Sequence, residues 1–183
     1  DRRRGEMYRQ NAQRAAEVQS FANYDDYLRS LSMRAEFGPF DAAHLERITQ
    51  LINKTNQFNM TTRRYTAAEI EALCADPAHL TLYGRLADKF GDNGIVTALI
   101  GRQDGETVEI ELWIMSCRVF KRNLEQTLFD RLVTVCGERG VRTIIGRFLP
   151  TAKNLPAKEF YPSVGFERVS ESETETVYRF GIP

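Results

Sequence analysis

Cys117 and the basic residues that follow it are the part of this sequence best suited to chemistry. Cys117 stands between Ser116 and Arg118, and Lys121 and Arg122 come within five residues. A neighbouring cation favours the thiolate, which is the nucleophilic form of a cysteine. Two interpretations stay open: Cys117 is a nucleophile for acyl transfer, or it only fills the end of a buried strand.

The flanking elements predict where this group lies. Residues 108–115 are mostly apolar and predict a buried strand, and residues 122–139 predict a helix. A strand that leads into a helix leaves free backbone N–H groups and the positive end of the helix dipole at the junction, where an anion can bind. The candidate cofactor-binding residues at this junction are Arg118, Lys121, Arg122 and Asn123.

A second candidate group follows a helix further upstream. Asp41 is predicted to cap this helix, whose apolar residues up to Ile52 recur on one face. Residues 53–62 are then dense in amide and hydroxyl side chains. Such side chains make caps and turns, but they also suit recognition of a hydroxyacyl chain or of pantetheine amides. The candidate substrate-binding residues are Asn53, Asn56, Gln57 and Asn59.

The remaining chain predicts alternating helices and strands. Helices are expected at 2–20, at 21–31 with Asn23 as its N-cap, from Thr66 with a capping box to Glu69, and from 151 through 161. Strands are expected at 33–40, 79–90, 95–102, 141–148, 166–169 and 176–180. A turn at 91–94 is predicted to join the first two strands of a three-stranded antiparallel meander.

Composition excludes several classes of protein. The 183 residues are 42% hydrophobic, enough for one domain with a real core. Lysine and arginine total 25 and so do aspartate and glutamate, which is evidence against a nucleic-acid binder. No apolar run is long enough to span a bilayer, and the presence of only two histidines argues against a histidine-based metal site.

The three cysteines indicate a reducing compartment. Cys74, Cys117 and Cys136 are odd in number and lack CxxC spacing, so we interpret them as free thiols of a cytoplasmic protein. Cys74 is predicted to lie in the core, on the apolar face of its helix.

The predicted order of elements over residues 33–183 resembles the GCN5-related N-acetyltransferase (GNAT) fold, an α/β (α+β) fold with a mixed, mostly antiparallel sheet flanked by helices. The end of the chain resembles it too, since Asn154 is followed by Phe160-Tyr161 and Gly165-Phe166. The resemblance implies that Asn154 and Tyr161 lie near the cofactor and the leaving thiol. Tyr161 is then a candidate general acid, although a purely structural tyrosine fits the pattern equally well.

Four phrases resemble a narrower family. INKTNQFNMTTRRYT, DKFGDNGIV, LWIMSCRV and PTAKN are similar to the C-terminal half of FkbH-like proteins. These join a haloacid-dehalogenase (HAD) type phosphatase domain to a GNAT-like domain and are associated with loading a glyceryl unit onto an acyl carrier protein. No HAD signature is present, so the resemblance implies a fragment: residues 1–31 as a helical linker from a missing HAD-type domain, and residues 32–183 as the acyltransferase domain.

One departure from the GNAT pattern bears on the cofactor. GNAT proteins that use acetyl-CoA present R/Q-x-x-G-x-G/A at the helix start, where glycines allow close approach to the pyrophosphate. Residues 120–125 contain no glycine, and Glu125 brings a carboxylate to this position. Like charge disfavours free CoA. Lys121 and Arg122 still suit the single phosphate of carrier-bound phosphopantetheine.

Three functions therefore remain: glyceryl transfer to the phosphopantetheine of an acyl carrier protein through Cys117, acetyl-CoA-dependent N-acetylation, and non-catalytic docking of a carrier protein. The first needs the carrier protein and the HAD-type domain as partners, and no metal or membrane. We expect the first.

Overall fold

The computed structural model describes residues 2–183. These residues divide into two compact units: residues 2–36 with Arg85–Gly94, and Phe37–Gly84 with Ile95–Pro183. No helix within residues 2–183 is both long and apolar enough to cross a membrane.

The first unit contains two helices and the tip of a β-hairpin. Helix α1 is Arg2–Val18 and helix α2 is Tyr24–Ser30. The side chain of Asn23 accepts a hydrogen bond from the backbone N–H of Asp25, which confirms the predicted N-cap. Tyr27, Leu28 and Leu31 form a small apolar core.

The other helices belong to the second unit. They are α3 Leu45–Lys54, α4 Ala67–Ala75, α5 Leu124–Glu138 and α6 Phe160–Ser163, with short 3-10 helices at Cys117–Val119 and Leu155–Ala157. The capping box between Thr66 and Glu69 at the start of α4 is present as predicted. Ile48 and Ile52 of α3 and Ile70 of α4 pack with Leu112 and Ile114 in an apolar core cluster.

Eight strands form one mixed sheet. They are β1 Arg34–Gly38, β2 Phe58–Asn59, β3 His79–Asp88, β4 Gly91–Asp104, β5 Thr107–Met115, β6 Thr143–Phe148, β7 Glu167–Glu171 and β8 Thr176–Gly181. Their order is β1-β3-β4-β5-β6-β8-β7, with β2 paired to β5 beside this path. β5 and β6 are parallel, whereas β4 with β5 and β6 with β8 are antiparallel. The predicted meander, central strand and closing hairpin are confirmed.

Several local predictions were wrong. Asp41 does not cap α3, which begins at Leu45, because its carboxylate accepts from the N–H of His44 inside a turn before the helix. The β3–β4 turn lies at residues 89–90, two residues earlier than predicted, and the Asp88 carboxylate accepts from the backbone N–H groups of Phe90 and Gly91 there.

Two further corrections concern helix ends and burial. Residues 151–161 do not form one helix, because a 3-10 helix containing Pro156 precedes the separate α6. Cys74 is exposed and not in the core, although it shares a helix face with the buried Ile70, because it lies in the last turn of α4, where it lines a small cavity with His79 and Arg131.

Candidate functional site

A cavity of about 470 Å³ lies at the end of β5. Three elements line it: α3, the segment that follows α3, and the junction between β5 and the 3-10 helix. Its lining residues are Arg47, Leu51, Lys54, Thr55, Asn56, Gln57, Met115, Ser116, Cys117 and Arg118. The cavity therefore brings together members of both groups of candidate residues. Gln57 and Cys117, for example, are 60 positions apart in the sequence.

Cys117 presents an exposed thiol to this cavity. It is the first residue of the 3-10 helix, which Ser116 caps by accepting from the backbone N–H of Arg118. The Ser116 hydroxyl also accepts from Nε of Arg118 at 3.2 Å. These two bonds hold the guanidinium beside the residue that carries the thiol.

Asn56 and Gln57 are the amide side chains in the cavity lining. Their segment is fixed by Arg64, which donates to the carbonyl oxygens of Ile52 and Thr55 and to Oδ1 of Asn56. Since Oδ1 of Asn56 already accepts from Arg64, the Asn56 amide NH₂ is the group best placed to donate to a ligand.

Asn53 and Asn59, the other two candidate substrate residues, do not line the cavity. Asn53 exchanges two hydrogen bonds with the backbone of Tyr65. Asn59 is fully buried, donates to the carbonyl of Thr55 and accepts from the N–H of Thr62. Both side chains hold the shape of the segment that presents Asn56 and Gln57.

Asn154 and Tyr161 lie in the protein interior. Asn154 is fully buried, donates to the carbonyl oxygens of Asn59 and Leu149, and accepts from the N–H of Thr151. Tyr161 is also fully buried, and burial raises the pKa of its phenol far above the ordinary value. Its hydroxyl has no hydrogen-bond partner within the described residues. Neither residue contributes to the cavity lining.

The remaining candidate cofactor residues form the turn before α5. Lys121 and Asn123 both adopt left-handed backbone conformations, with φ of 63° and 62°. Arg122 donates to the carbonyl of Arg118 at 3.2 Å. Glycine is the default residue for positive φ. These two positions follow Arg118 with the spacing R-x-x-G-x-G, so the structure moves the motif two residues earlier than the predicted register of 120–125. The turn thus has the backbone shape of a glycine motif but carries side chains.

Glu125 occupies the first turn of α5. Burial raises the pKa of its carboxyl, although hydrogen bonds from its own backbone N–H and from Gln126 act in the opposite direction. Its Oε2 is buried and has no hydrogen-bond partner among residues 2–183.

Residues 58–61 fill the space where β5 and β6 separate. These two parallel strands pair only from Thr107 to Glu109 on the β5 side. Beyond that point β2 pairs with β5, with Asn59 opposite Ile114. Met60 then donates to the carbonyl of Trp113 and accepts from the N–H of Leu149, so it bridges β5 and the end of β6.

Free CoA, the cofactor that a GNAT fold implies, does not fit these residues. An extended, amide-bearing pantetheine arm could bind between two separated strands as an added strand. Here β2 and Met60 of the chain itself form hydrogen bonds with the backbone groups of β5 and Leu149 that such an arm would need. The turn that would hold the pyrophosphate carries Lys121 and Asn123 in place of glycines, and the Glu125 carboxyl occupies the first turn of α5.

Arg47, Lys54 and Thr55 are cavity residues that sequence analysis missed. Arg47, Leu51 and Lys54 are spaced i, i+4, i+7, which places them on one face of α3. That spacing is present in the sequence, but the stronger apolar periodicity of the same helix predicts only the buried face that contains Ile48 and Ile52. The described residues contain no group of three or more histidine, cysteine, aspartate or glutamate side chains that could hold a metal ion.

Solved structures provide the comparison that decides the fold. The ribosomal-protein-S18-alanine N-acetyltransferase from Escherichia coli superposes with a TM-score of 0.62 at 12% identity, over 81% of this chain and 94% of that one. The GNAT domain of S. lividans PAT gives 0.64 at 13% identity, over 80% and 90%. The chain has the GNAT fold. Ard1 from Thermoplasma volcanium gives 0.63 at 15% identity, over 81% and 98%.

These identities are low, so the likeness concerns the fold alone. No family model and no curated protein matches the sequence.

Proposed function

We propose that this chain is an acyltransferase that passes an acyl group between the phosphopantetheine thiol of an acyl carrier protein and Cys117. One observation supports this most: a single cavity brings the exposed thiol of Cys117 together with Arg118 and the amides of Asn56 and Gln57. A nucleophile, a cation and neutral hydrogen-bond donors are the groups that a polar acyl thioester requires.

The proposed reaction is a thiol–thioester exchange. The Cys117 thiolate attacks the carbonyl carbon of the acyl thioester, a new C–S bond forms to Sγ, and the bond to the departing sulfur breaks. The proton lost by Cys117 goes to the departing thiolate. The reverse exchange, with the pantetheine thiol as nucleophile, loads the carrier protein. Because one thioester replaces another, no other reactant is needed.

A carrier protein suits this site better than free CoA does. The pantetheine arm would approach through the open cavity, since the space between β5 and β6 is filled by residues 58–61. Lys121 is exposed on the turn next to Arg118 and can meet the phosphate of the arm. Contacts with the surface of the carrier protein would then provide the binding energy that contacts with the nucleotide provide for free CoA.

The acyl group and the remaining partner are proposed from the FkbH-like resemblance. In that proposal the group is glyceryl, its source is a phosphorylated glycerate donor, and a HAD-type domain joined through residues 1–31 is the partner. The hydroxyls of a glyceryl group match the amide side chains of Asn56 and Gln57 in hydrogen-bonding capacity.

Intact-mass spectrometry tests the proposal. The protein is incubated with glyceryl-loaded carrier protein, and we expect a mass increase of one glyceryl unit that is absent in Cys117→Ala. Cys74→Ala is the matched control, because Cys74 is the other exposed thiol. The control should still gain the adduct. An adduct that persists in Cys117→Ala would contradict the assignment of the nucleophile.

The GNAT fold itself favours a second candidate, acetyl-CoA-dependent N-acetylation. Tight acetyl-CoA binding with no carrier adduct would support it. Carrier binding by titration without any adduct would instead indicate a docking domain.

A further inference from the structure

Arg64 is fixed over the C-terminal end of α3. Its Nη1 donates to the carbonyl oxygens of Ile52 and Thr55, at 2.6 and 2.9 Å. The last carbonyl groups of a helix lack partners within the helix and interact favourably with a cation. The backbone of Tyr65, the next residue, is tied to α3 by two hydrogen bonds with the side chain of Asn53. The backbone of this segment therefore sets the position of the guanidinium.

This fixed guanidinium decides which atoms the Asn56 side chain presents. Nη2 of Arg64 donates to Oδ1 of Asn56 at 2.6 Å. A guanidinium has only donors, so the amide cannot turn its NH₂ group towards Arg64 without losing this bond. Nδ2 of Asn56 makes no hydrogen bond with any of residues 2–183, and the residue lines the cavity that contains Cys117. Asn56 thus offers donors to a ligand, while its acceptor is already engaged.

Gln57, the other amide of the cavity, is not held in this way. Its side chain is exposed and makes no hydrogen bond within the part of the chain that the structure describes. It can therefore turn either its oxygen or its nitrogen towards a ligand. A hydroxyl group both donates and accepts, so it matches Gln57. A thioester carbonyl oxygen only accepts, so it matches Asn56.

The bond from Arg64 also makes Asn56 a stronger donor. A cation at the amide oxygen draws electron density from the NH₂ group, and linked hydrogen bonds strengthen one another. In the exchange proposed above, the Cys117 thiolate adds to the carbonyl carbon and negative charge develops on the carbonyl oxygen. The intermediate then collapses, and the departing sulfur takes the electron pair of the broken C–S bond. A donor that is oriented before the reaction stabilises the oxyanion without reorganising.

We infer that Asn56 is a catalytic residue whose NH₂ group stabilises the oxyanion of the thioester exchange, and that Arg64 is the positioning residue that orients and polarises it. The inference rests on the proposed function for its reaction, the attack of Cys117 on a thioester. It goes further by assigning the acyl carbonyl to Asn56, which leaves the glyceryl hydroxyls to Gln57. It also gives a role to Arg64, which does not line the cavity.

Two reactions of the same thiol separate an oxyanion role from a structural one. Acylation by the glyceryl thioester of N-acetylcysteamine passes through an oxyanion, whereas alkylation by iodoacetamide is a displacement at a saturated carbon and forms none. Both are followed by intact mass in a Cys74→Ala background, which leaves Cys117 as the only exposed thiol among residues 2–183.

The Asn56→Ala variant should fold normally, because Asn56 is exposed. We expect its rate constant for acylation to fall at least about tenfold, less than the usual hundredfold because this cavity is open to solvent. Its rate constant for alkylation should stay the same, since the nucleophile and its surroundings are otherwise unchanged.

A double-mutant cycle tests Arg64. Arg64→Gln alone should lower the rate constant for acylation roughly threefold or more, because the amide is then neither oriented nor polarised. It should have no further effect once Asn56 is alanine, since Arg64 acts through Asn56. Arg63→Gln is the matched control, because this adjacent arginine is also exposed and pairs with Glu111 outside the cavity. The control should change neither reaction.

Unchanged acylation in Asn56→Ala would overturn the inference, and so would an equal slowing of acylation and alkylation. The same loss from Arg64→Gln in both backgrounds would overturn the positioning role. The proposed function is judged separately, by the adduct formed from glyceryl-loaded carrier protein. That adduct together with unchanged acylation in Asn56→Ala keeps the function and rejects the oxyanion role. Acylation by the small thioester that depends on Asn56, without an adduct from the carrier, does the reverse. A wild-type protein that neither donor acylates rejects both.

Discussion

Burial distinguishes the three cysteine side chains. Cys74 and Cys117 are exposed, whereas Cys136 on α5 is fully buried. Burial raises the pKa of the Cys136 thiol to about 11, because the thiolate would be held in apolar surroundings, and Arg139 offsets only part of this. In native protein at pH 8, a thiol reagent should therefore react quickly with two cysteines, and with the third only after unfolding.

The raised pKa of Cys136 also predicts a loss of stability at alkaline pH. Because the folded pKa exceeds the ordinary value of 9.0, the contribution is complete below pH 9 and is lost as pH rises towards 11. The loss attributable to this thiol approaches roughly 2 to 3 kcal/mol. Urea unfolding at pH 8 and pH 10.5 should show a smaller decrease for Cys136→Val than for the wild-type protein. Equal decreases would show that the thiolate is not excluded from the core.

At the scale of elements, strand β6 and helix α6 meet at a glycine. A Cβ on Gly146 would lie 2.6 Å from Cζ of Tyr161, whose ring is fully buried and packs against Trp113 and Phe166. Gly146→Ala should lower the free energy of unfolding by about 1 to 3 kcal/mol, the usual cost of overpacking. Gly137→Ala is the matched control, because a Cβ there meets nothing within 4 Å and the residue lies in α5. That change should be neutral or stabilising.

Chemical unfolding of both variants measures this difference. If Gly146→Ala proved as stable as the wild-type protein, Tyr161 would be mobile enough to move aside. Such mobility would restore Tyr161 as a candidate that can reach a ligand.

Strong local patterns made most of the fold predictable. The capping box of Thr66 and Glu69, the Asn23 cap and the apolar face of α3 each depend on residues within one or two turns of helix. The sequence predicts the β3–β4 turn two residues too late. The glycines favour a turn at 91–94, but the Asp88 carboxylate accepts hydrogen bonds from the backbone N–H groups of Phe90 and Gly91 and so stabilises an earlier turn.

The position of β2 could not be read from the sequence. A strand of two residues is too short to show alternation, and its pairing depends on the separation of β5 from β6. A bulge between Ile100 and Gly101 leaves Glu111 without a register partner on β4, just before β5 meets β2. The amide-rich composition of residues 53–62 made Asn56 and Gln57 candidates, and the structure places both in the cavity that Cys117 lines. Composition gave no way to distinguish them from Asn53 and Asn59, because the hydrogen bonds that fix these two side chains to the backbone exist only in the folded segment.

At the scale of the whole molecule, a buried ion pair joins α1 to the β3–β4 hairpin within one compact unit. Nε and Nη2 of Arg14 donate to the two carboxylate oxygens of Asp88 at 2.7 and 2.6 Å, and both side chains are almost inaccessible to solvent. Asp88→Asn leaves the guanidinium buried without its counter-charge and should cost roughly 3 kcal/mol or more of unfolding free energy.

Asp92→Asn provides the comparison in the same hairpin. Its carboxylate pairs with Arg85 at 3.2 Å with both side chains solvated, so the change should cost at most about 1 kcal/mol. Thermal or urea unfolding of the two variants gives the contrast. Similar small losses in both would mean that α1 contributes little to the stability of its unit.

The proposed function depends on whether the acyl thioester is carried by an acyl carrier protein or by free CoA. The GNAT resemblance implies CoA as the thioester source, yet residues 58–61 occupy the space between β5 and β6, and the turn before α5 carries side chains at its positive-φ positions. The open route to Cys117 is the cavity, which a carrier-bound arm can enter from outside.

The most direct measurement offers the same acyl group on a carrier protein and on CoA at equal concentration, and follows the mass of the protein with time. We predict that the carrier-bound thioester acylates Cys117 and that the CoA thioester gives no adduct and no measurable binding. Acylation from CoA at a comparable rate, or tight CoA binding, would contradict the account.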